Sequence, residues 1–256
     1  AEHEEVVTSS ETFSEDEFFE IRKVSFMFFA VFSVGLQKWF FQFIKNNNKG
    51  VRLTDIFYNF MNPDLNEEWP EEYLKFLEDF DKAIRAELFD TREEMIESLK
   101  KIYKENNNQV GEPTRLNINF SSRLIYLEKK WVGEVLFKHY KKLNKNADEE
   151  DYKLANDLIL VGLKERIDLE TNNHEISDVK VNYDLLLWQK TKFKENILNF
   201  KTNSKEIFFS LDKSQKNQIV SFREKFAGLE RKDYFNSALD FVTPRSNLNY
   251  KLDYKN

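Results

Sequence analysis

Histidines are the first residues to weigh for chemistry, and this chain has three: His3, His139 and His174. No two of them stand at helical spacing, so no pair can face a common metal or substrate from one helix. His139 lies among Lys138, Lys141, Lys142 and Lys145, which reads as a solvated basic helix face with the histidine on it. His174 follows Asn172-Asn173 in a polar loop beside Glu175, a pairing that can raise an imidazole pKa but is common in loops. Carboxylate pairs are plentiful, as at Glu67-Glu68, Glu71-Glu72 and Glu93-Glu94. All of them sit at or before expected helix starts, where the positive end of the helix dipole favours them. Ser121 and Ser122 lack the Gly-x-Ser-x-Gly setting of a hydrolase nucleophile. There is no Gly-x-Gly-x-x-Gly or Walker-type loop. With no cysteine, the chain itself forms no disulfide, thiolate zinc site or cysteine-held iron–sulfur cluster. The catalytic set is therefore unknown, and no residue is assigned to a cofactor or a metal.

Composition bounds the rest. Of 256 residues, 41% are hydrophobic and 33% charged, a mixture that builds a folded core and excludes wholesale disorder. The 25 phenylalanines require a large aromatic core. Six glycines and four prolines leave few breaks, so long helices follow. The net charge of −6 gives no excess of cations to neutralise phosphates and argues against nucleic acid as a partner. The start at Ala1 fits a mature end after signal cleavage or a cut within a longer protein.

Along the chain, residues 1–12 read as a strand or extended lead-in. Residues 13–145 read as a helical domain, and 146–256 as a helical/α+β C-terminal portion, with Asn144–Asp148 as the boundary. The fold class is mainly α, a multi-helical domain followed by a smaller α+β portion with a few short strands. Ser14 and Glu17 form a capping box for a helix reaching Lys45, broken or bent near Gly35. Its middle carries Phe26, Met27, Phe28, Phe29, Val31 and Phe32. A helix buried nearly all round explains them. A membrane span of about 20 apolar residues fits less well, because Gln37, Lys38 and Gln42 interrupt it. The aromatic pairs Phe28-Phe29 and Phe40-Phe41 suit a core, or the lining of an apolar pocket.

Further helices are expected at 53–61, after Pro70, after an Asp90/Glu93 capping box, from Ser121 to Leu143, from Glu149 to Arg166, from Asp212/Gln215 to Gly228, and at 232–241. Val179–Tyr183, Ile207-Phe208-Phe209 and the alternation Leu248, Tyr250, Leu252 read as short strands.

One family comparison adds to this reading. Glu5-Val6-Val7-Thr8-Ser9-Ser10, followed by Phe13-Ser14-Glu15-Asp16-Glu17-Phe18, resembles a junction of cobalamin-binding radical SAM proteins. There the last strand of the catalytic barrel gives way to a C-terminal helical region. Glu20-Ile21-Arg22-Lys23 and the aromatic helix after it are in keeping. Glu87-Leu88-Phe89-Asp90-Thr91-Arg92-Glu93-Glu94 is similar to a segment of that region, as are Tyr183-Asp184-Leu185-Leu186-Leu187-Trp188 and the stretch from Phe208 to Gln215. The family's Cys-x-x-x-Cys-x-x-Cys triplet and its cobalamin-binding domain are absent here. The resemblance implies a cytoplasmic C-terminal accessory region that packs on an upstream catalytic domain and helps to enclose its substrate. S-adenosylmethionine, the iron–sulfur cluster and cobalamin would belong to that parent, and none to this chain. The alternatives are a stand-alone helical binding or scaffold protein and, second, a membrane-associated helical protein using residues 24–44.

Overall fold

A computed structural model describes residues 6–46, 50–105, 115–170 and 179–254. The chain is mainly α, with a small three-stranded antiparallel sheet near its end. The first helix, α1 (Glu15–Phe28), starts at Ser14 as the sequence predicts. Ser14 Oγ accepts from the Glu17 amide at 3.2 Å, and Glu17 accepts from the Ser14 amide at 2.7 Å, satisfying two of the helix's orphan donors.

The expected break near Gly35 is present and sharp. A π-helical turn (Phe29–Ser33) follows α1, and α2 (Lys38–Asn46) leaves at 107°. Gly35 and Gln37 supply the positive φ values of 81° and 48° that turn the chain. The guanidinium of buried Arg166 then caps the bend, donating to the Val34 and Gly35 carbonyls at 2.8 and 2.7 Å. These carbonyls would otherwise be orphaned at the helix end. Gln37 lies so close to Gly162 that a Cβ there would stand 2.3 Å from Gln37 Oε1.

Helices α3 (Leu53–Met61), α4 (Glu71–Ala86) and α5 (Arg92–Glu105) follow. The cap of α5 is Thr91, whose hydroxyl accepts from the Glu94 amide at 3.2 Å, one residue later than the Asp90/Glu93 box expected. The single helix expected from Ser121 to Leu143 is divided. It consists of α6 (Leu116–Ser122), a second π-helical turn (Arg123–Leu127) and α7 (Lys129–Leu143). The longest helix among the described residues, α8 (Glu149–Glu165), packs on α2 and α7. The turn before it is tied down by bonds from Asn144 Nδ2 to the Tyr140 hydroxyl and from the Tyr152 hydroxyl to the Asn144 carbonyl, both 2.8 Å.

The sheet runs β1 (Val179–Tyr183), β2 (Lys201–Ser210), β3 (Lys251–Tyr254), with α9 (Leu185–Lys190), α10 (Lys213–Lys225) and α11 (Arg231–Phe241) between the strands. Register pairs Val179 with Ile207 and Ile207 with Tyr254. Strand alternation turns Val179, Val181, Tyr183, Ile207 and Phe209 inward. The closing strand is shorter than the alternation suggests: Leu248 ends a 3₁₀ turn, and pairing in the sheet begins at Lys251. Tyr250 and Ile167 bond across to Glu165 and Leu248 at 2.7 and 3.0 Å, stitching the end of α8 to the last segment.

One buried cluster runs through these elements, from Phe19 to Leu248. Its densest part joins Phe26, Phe76, Phe80 and Phe120. The Phe26–Phe80 centroids are 4.6 Å apart, and Phe80 meets Phe120 edge-on at 4.9 Å. Such pairs add about 0.5–1.5 kcal/mol each beyond area burial. Among the described residues no single helix is long and apolar enough to cross a membrane. The bent pair Glu15–Ser33 and Lys38–Asn46 passes that test only by combined length and composition.

Candidate interaction surface

The residues first considered for chemistry are dispersed by the fold. His139 departs from expectation: it is 1% exposed rather than solvated. It lies one turn beyond Val135, on the same inner face of α7. Its Nε2 bonds the Tyr73 hydroxyl at 3.2 Å, and its ring stacks on Trp69 at 4.5 Å. Burial, helped by Lys142, pulls its pKa down to about 4, so the ring is neutral at pH 7. The lysines around it turn outward, Lys138 over the Trp69 face at 4.0 Å and Lys142 to Glu67 at 2.7 Å. This is a core histidine under a cationic rim. His3 and His174 lie outside the described residues.

Ser121 and Ser122 are buried, and the Ser122 hydroxyl is occupied by the Asn119 carbonyl (2.8 Å) and the Asn236 amide oxygen. Glu71-Glu72 and Glu93-Glu94 fall in the first turns of α4 and α5, as dipole complements should. Glu165, a buried carboxylate at the end of α8, takes Trp39 Nε1 at 3.0 Å and Lys38 Nζ at 3.4 Å, a structural pairing that holds α2 on α8. Among the described residues no group of three or more His, Cys, Asp or Glu is placed to hold a metal ion.

What the fold does expose is apolar. The expectation that the first helix is buried nearly all round holds for one side only. Phe19, Phe26 and Met27 point inward. On the outer side Ile21 is 61% exposed, Phe28 40% and Phe32 49%. Glu17, Ile21, Val24 and Phe28 follow one another at spacings of three and four, so they share a stripe, and Phe32 prolongs it. Across from the stripe stands Tyr58 of α3, also exposed. Between α1 and α3 lies an open groove of about 510 Å³, floored by Ile21, Val24, Phe28 and Tyr58 and edged by Glu17 and Glu20.

The groove walls are firm. Phe28 rests edge-on against buried Phe57 at 4.9 Å and is stacked on Phe32 at 5.9 Å. The Glu17 carboxylate is held below its usual pKa by the Ser14 amide and hydroxyl, so this carboxylate stays charged. Of the two aromatic pairs, Phe40 and Phe41 are wholly core, whereas Phe28 and Phe29 reach the surface on either side of α1. Tyr58 could not be singled out in the sequence. The second stripe on α1 could have been, because apolar residues there recur on two faces instead of one.

Comparison with known proteins adds no relative: no family model, no curated protein and no solved structure matches this chain.

Proposed function

We propose that the chain works by binding, as a helical scaffold that seats an amphipathic helix of a partner protein in the α1–α3 groove. The observation that carries this is the second, solvent-facing apolar stripe on α1: Ile21, Phe28 and Phe32 beside Tyr58. A contiguous apolar surface of this kind on a folded protein marks an interaction site. Glu17 and Glu20 at the edge favour a partner helix with basic flanks, read through apolar anchors at helical spacing.

The test uses two peptides of equal length, a leucine/lysine amphipathic helix and its leucine/glutamate counterpart, titrated into the full chain. The Leu/Lys peptide is expected to bind and to shift the amide resonances of Ile21, Val24, Phe28 and Tyr58 and the methyl resonances of Ile21 and Val24. The Leu/Glu peptide should bind at least about tenfold more weakly. Equal affinity for both, or shifts spread away from the groove, would refute the reading.

A second reading comes from the resemblance to cobalamin-binding radical SAM proteins. Here the partner is an upstream catalytic domain that carries the iron–sulfur cluster, S-adenosylmethionine and cobalamin, and this chain is its accessory region. What favours it is the stretch 6–13, which among the described residues has no strand pairing and leaves Val6 and Val7 52% and 68% exposed, ready to join a sheet. The reading frame upstream of Ala1 decides between the two: a Cys-x-x-x-Cys-x-x-Cys motif there supports the accessory role, and a start codon close to Ala1 without that motif removes it. This second reading puts the chain in the cytoplasm. A membrane role for residues 24–44 has less support, because Phe26, Met27, Phe40, Phe41 and Phe43 already pack inside the protein.

A further inference from the structure

A second recess opens on the other side of α1, and its chemistry is opposite to that of the groove. Arg22 of α1, Arg115 before α6 and Arg245 after α11 all line a cavity of about 330 Å³, together with Phe29, Asn117 and Glu87. Three arginines brought from distant parts of the chain to one recess are unusual in a protein of net charge −6. Among the described residues Glu87 is the one carboxylate in the lining, and it is engaged with Arg22. The described lining residues then carry a surplus of two positive charges.

The other two arginines are not neutralised to the same degree. Arg245 is fixed in place by its Nε bond to the Leu239 carbonyl at 2.7 Å and lies over the Phe29 ring at 5.9 Å. Its nearest carboxylate, Asp240, is 4.0 Å away, at the limit of an ion pair. Arg115 is exposed and has no carboxylate partner among the described residues. The Asn117 side chain adds a neutral donor. The volume falls within the range of small-molecule sites, roughly 300–1,000 Å³.

We propose that this recess binds a phosphate or pyrophosphate group of a small molecule. Two surplus guanidinium charges match a dianion. Planar guanidinium forks complement phosphate oxygens, and a backbone-anchored Arg245 loses little freedom on binding. The incoming anion competes with Glu87 for Arg22, so Glu87 acts as a built-in competitor that sets the affinity. This site shares no residue with the groove between α1 and α3, and its occupation does not depend on partner binding there.

The test is calorimetric titration of the full chain with inorganic pyrophosphate at low ionic strength. Saturable binding with Kd below about 1 mM is expected. Arg115→Gln removes charge at an exposed side chain that makes no hydrogen bond or ion pair among the described residues, and it should weaken binding several-fold with the circular dichroism unchanged. Arg115→Gln/Arg245→Gln should weaken it at least about tenfold. Glu87→Gln should tighten it several-fold. Vesicles containing a phosphoinositide form a second arm: binding to them that outcompetes pyrophosphate and shows the same arginine dependence assigns the phosphate to a lipid headgroup, and its absence assigns it to a soluble molecule. No saturable heat, or binding that the double variant and Glu87→Gln leave unchanged, would overturn the proposal.

Discussion

Helices α1 and α4 lie against each other and bury similar residues, but their outward faces differ. On the inside, Phe26 of α1 meets Phe76 and Phe80 of α4, and all three are almost wholly buried. On the outside, α4 presents Glu71, Glu72, Glu78 and Lys82, with Lys82 and Glu78 paired one turn apart and Leu74 as its exposed apolar residue. This is an ordinary amphipathic helix with a solvated face. Outward, α1 and the π-helical turn after it instead present Ile21, Phe28 and Phe32. Folding demands only the inner stripe of each helix. The outer stripe of α1 costs solubility and adds little to the core, so its presence points to a partner.

The largest effect should come from the shared inner face. Phe26→Ala should cost about 3–5 kcal/mol, since its ring contacts Phe76, Phe80 and Phe120 and leaves a cavity when removed. Phe28→Ala, at 40% exposure, should cost under about 1 kcal/mol. Urea unfolding of both variants checks this. Equal losses would mean that the outer stripe belongs to the core, and the contrast with α4 would collapse.

Next in size is a pH effect on the inner face of α4, where Tyr73 meets His139. Burial sets the folded pKa of His139 near 4, below the unfolded value of 6.5. The unfolded state therefore binds the extra proton first as pH falls. The contribution is whole above about pH 6.5 and is lost progressively down to about pH 4, amounting to about 3 kcal/mol. Nitrogen-15 spectra should show the His139 ring neutral at pH 5.5. A ring that protonates near pH 6.5 would place it in solvent after all.

Smaller again is the effect on the bend that ends α1. Gly162→Ala drives a methyl into Gln37, which is itself at positive φ, and should cost about 1–3 kcal/mol. Thermal unfolding measures it, and a neutral result would show that Gln37 does not fix the bend.

The sequence carried the local features well. The capping boxes at Ser14/Glu17 and Asp212/Gln215 are contained within four residues, and both are formed. The strand alternation at Val179–Tyr183 translates directly into inward valines. Features that depend on distant partners were not legible. Arg166 caps carbonyls of residues 34 and 35, far upstream in the chain, and nothing near Arg166 signals that duty. The π-turn at Arg123–Leu127 lies between Ser121-Ser122 and Glu128-Lys129-Lys130, with no glycine or proline to mark it. The burial of His139 was readable from its spacing to Val135, but lysines on the neighbouring faces obscured it. The groove and the arginine recess each combine residues from separate helices, so both required the fold to be seen.

The central claim is that the outer face of α1 serves binding and not folding. Ile21→Glu/Phe28→Glu tests it most directly, with thermal unfolding and Leu/Lys peptide affinity measured on the same sample. A melting temperature close to that of the parent chain, with peptide binding abolished, is the predicted result. An unfolded variant, or one that binds the peptide as tightly as before, would contradict it.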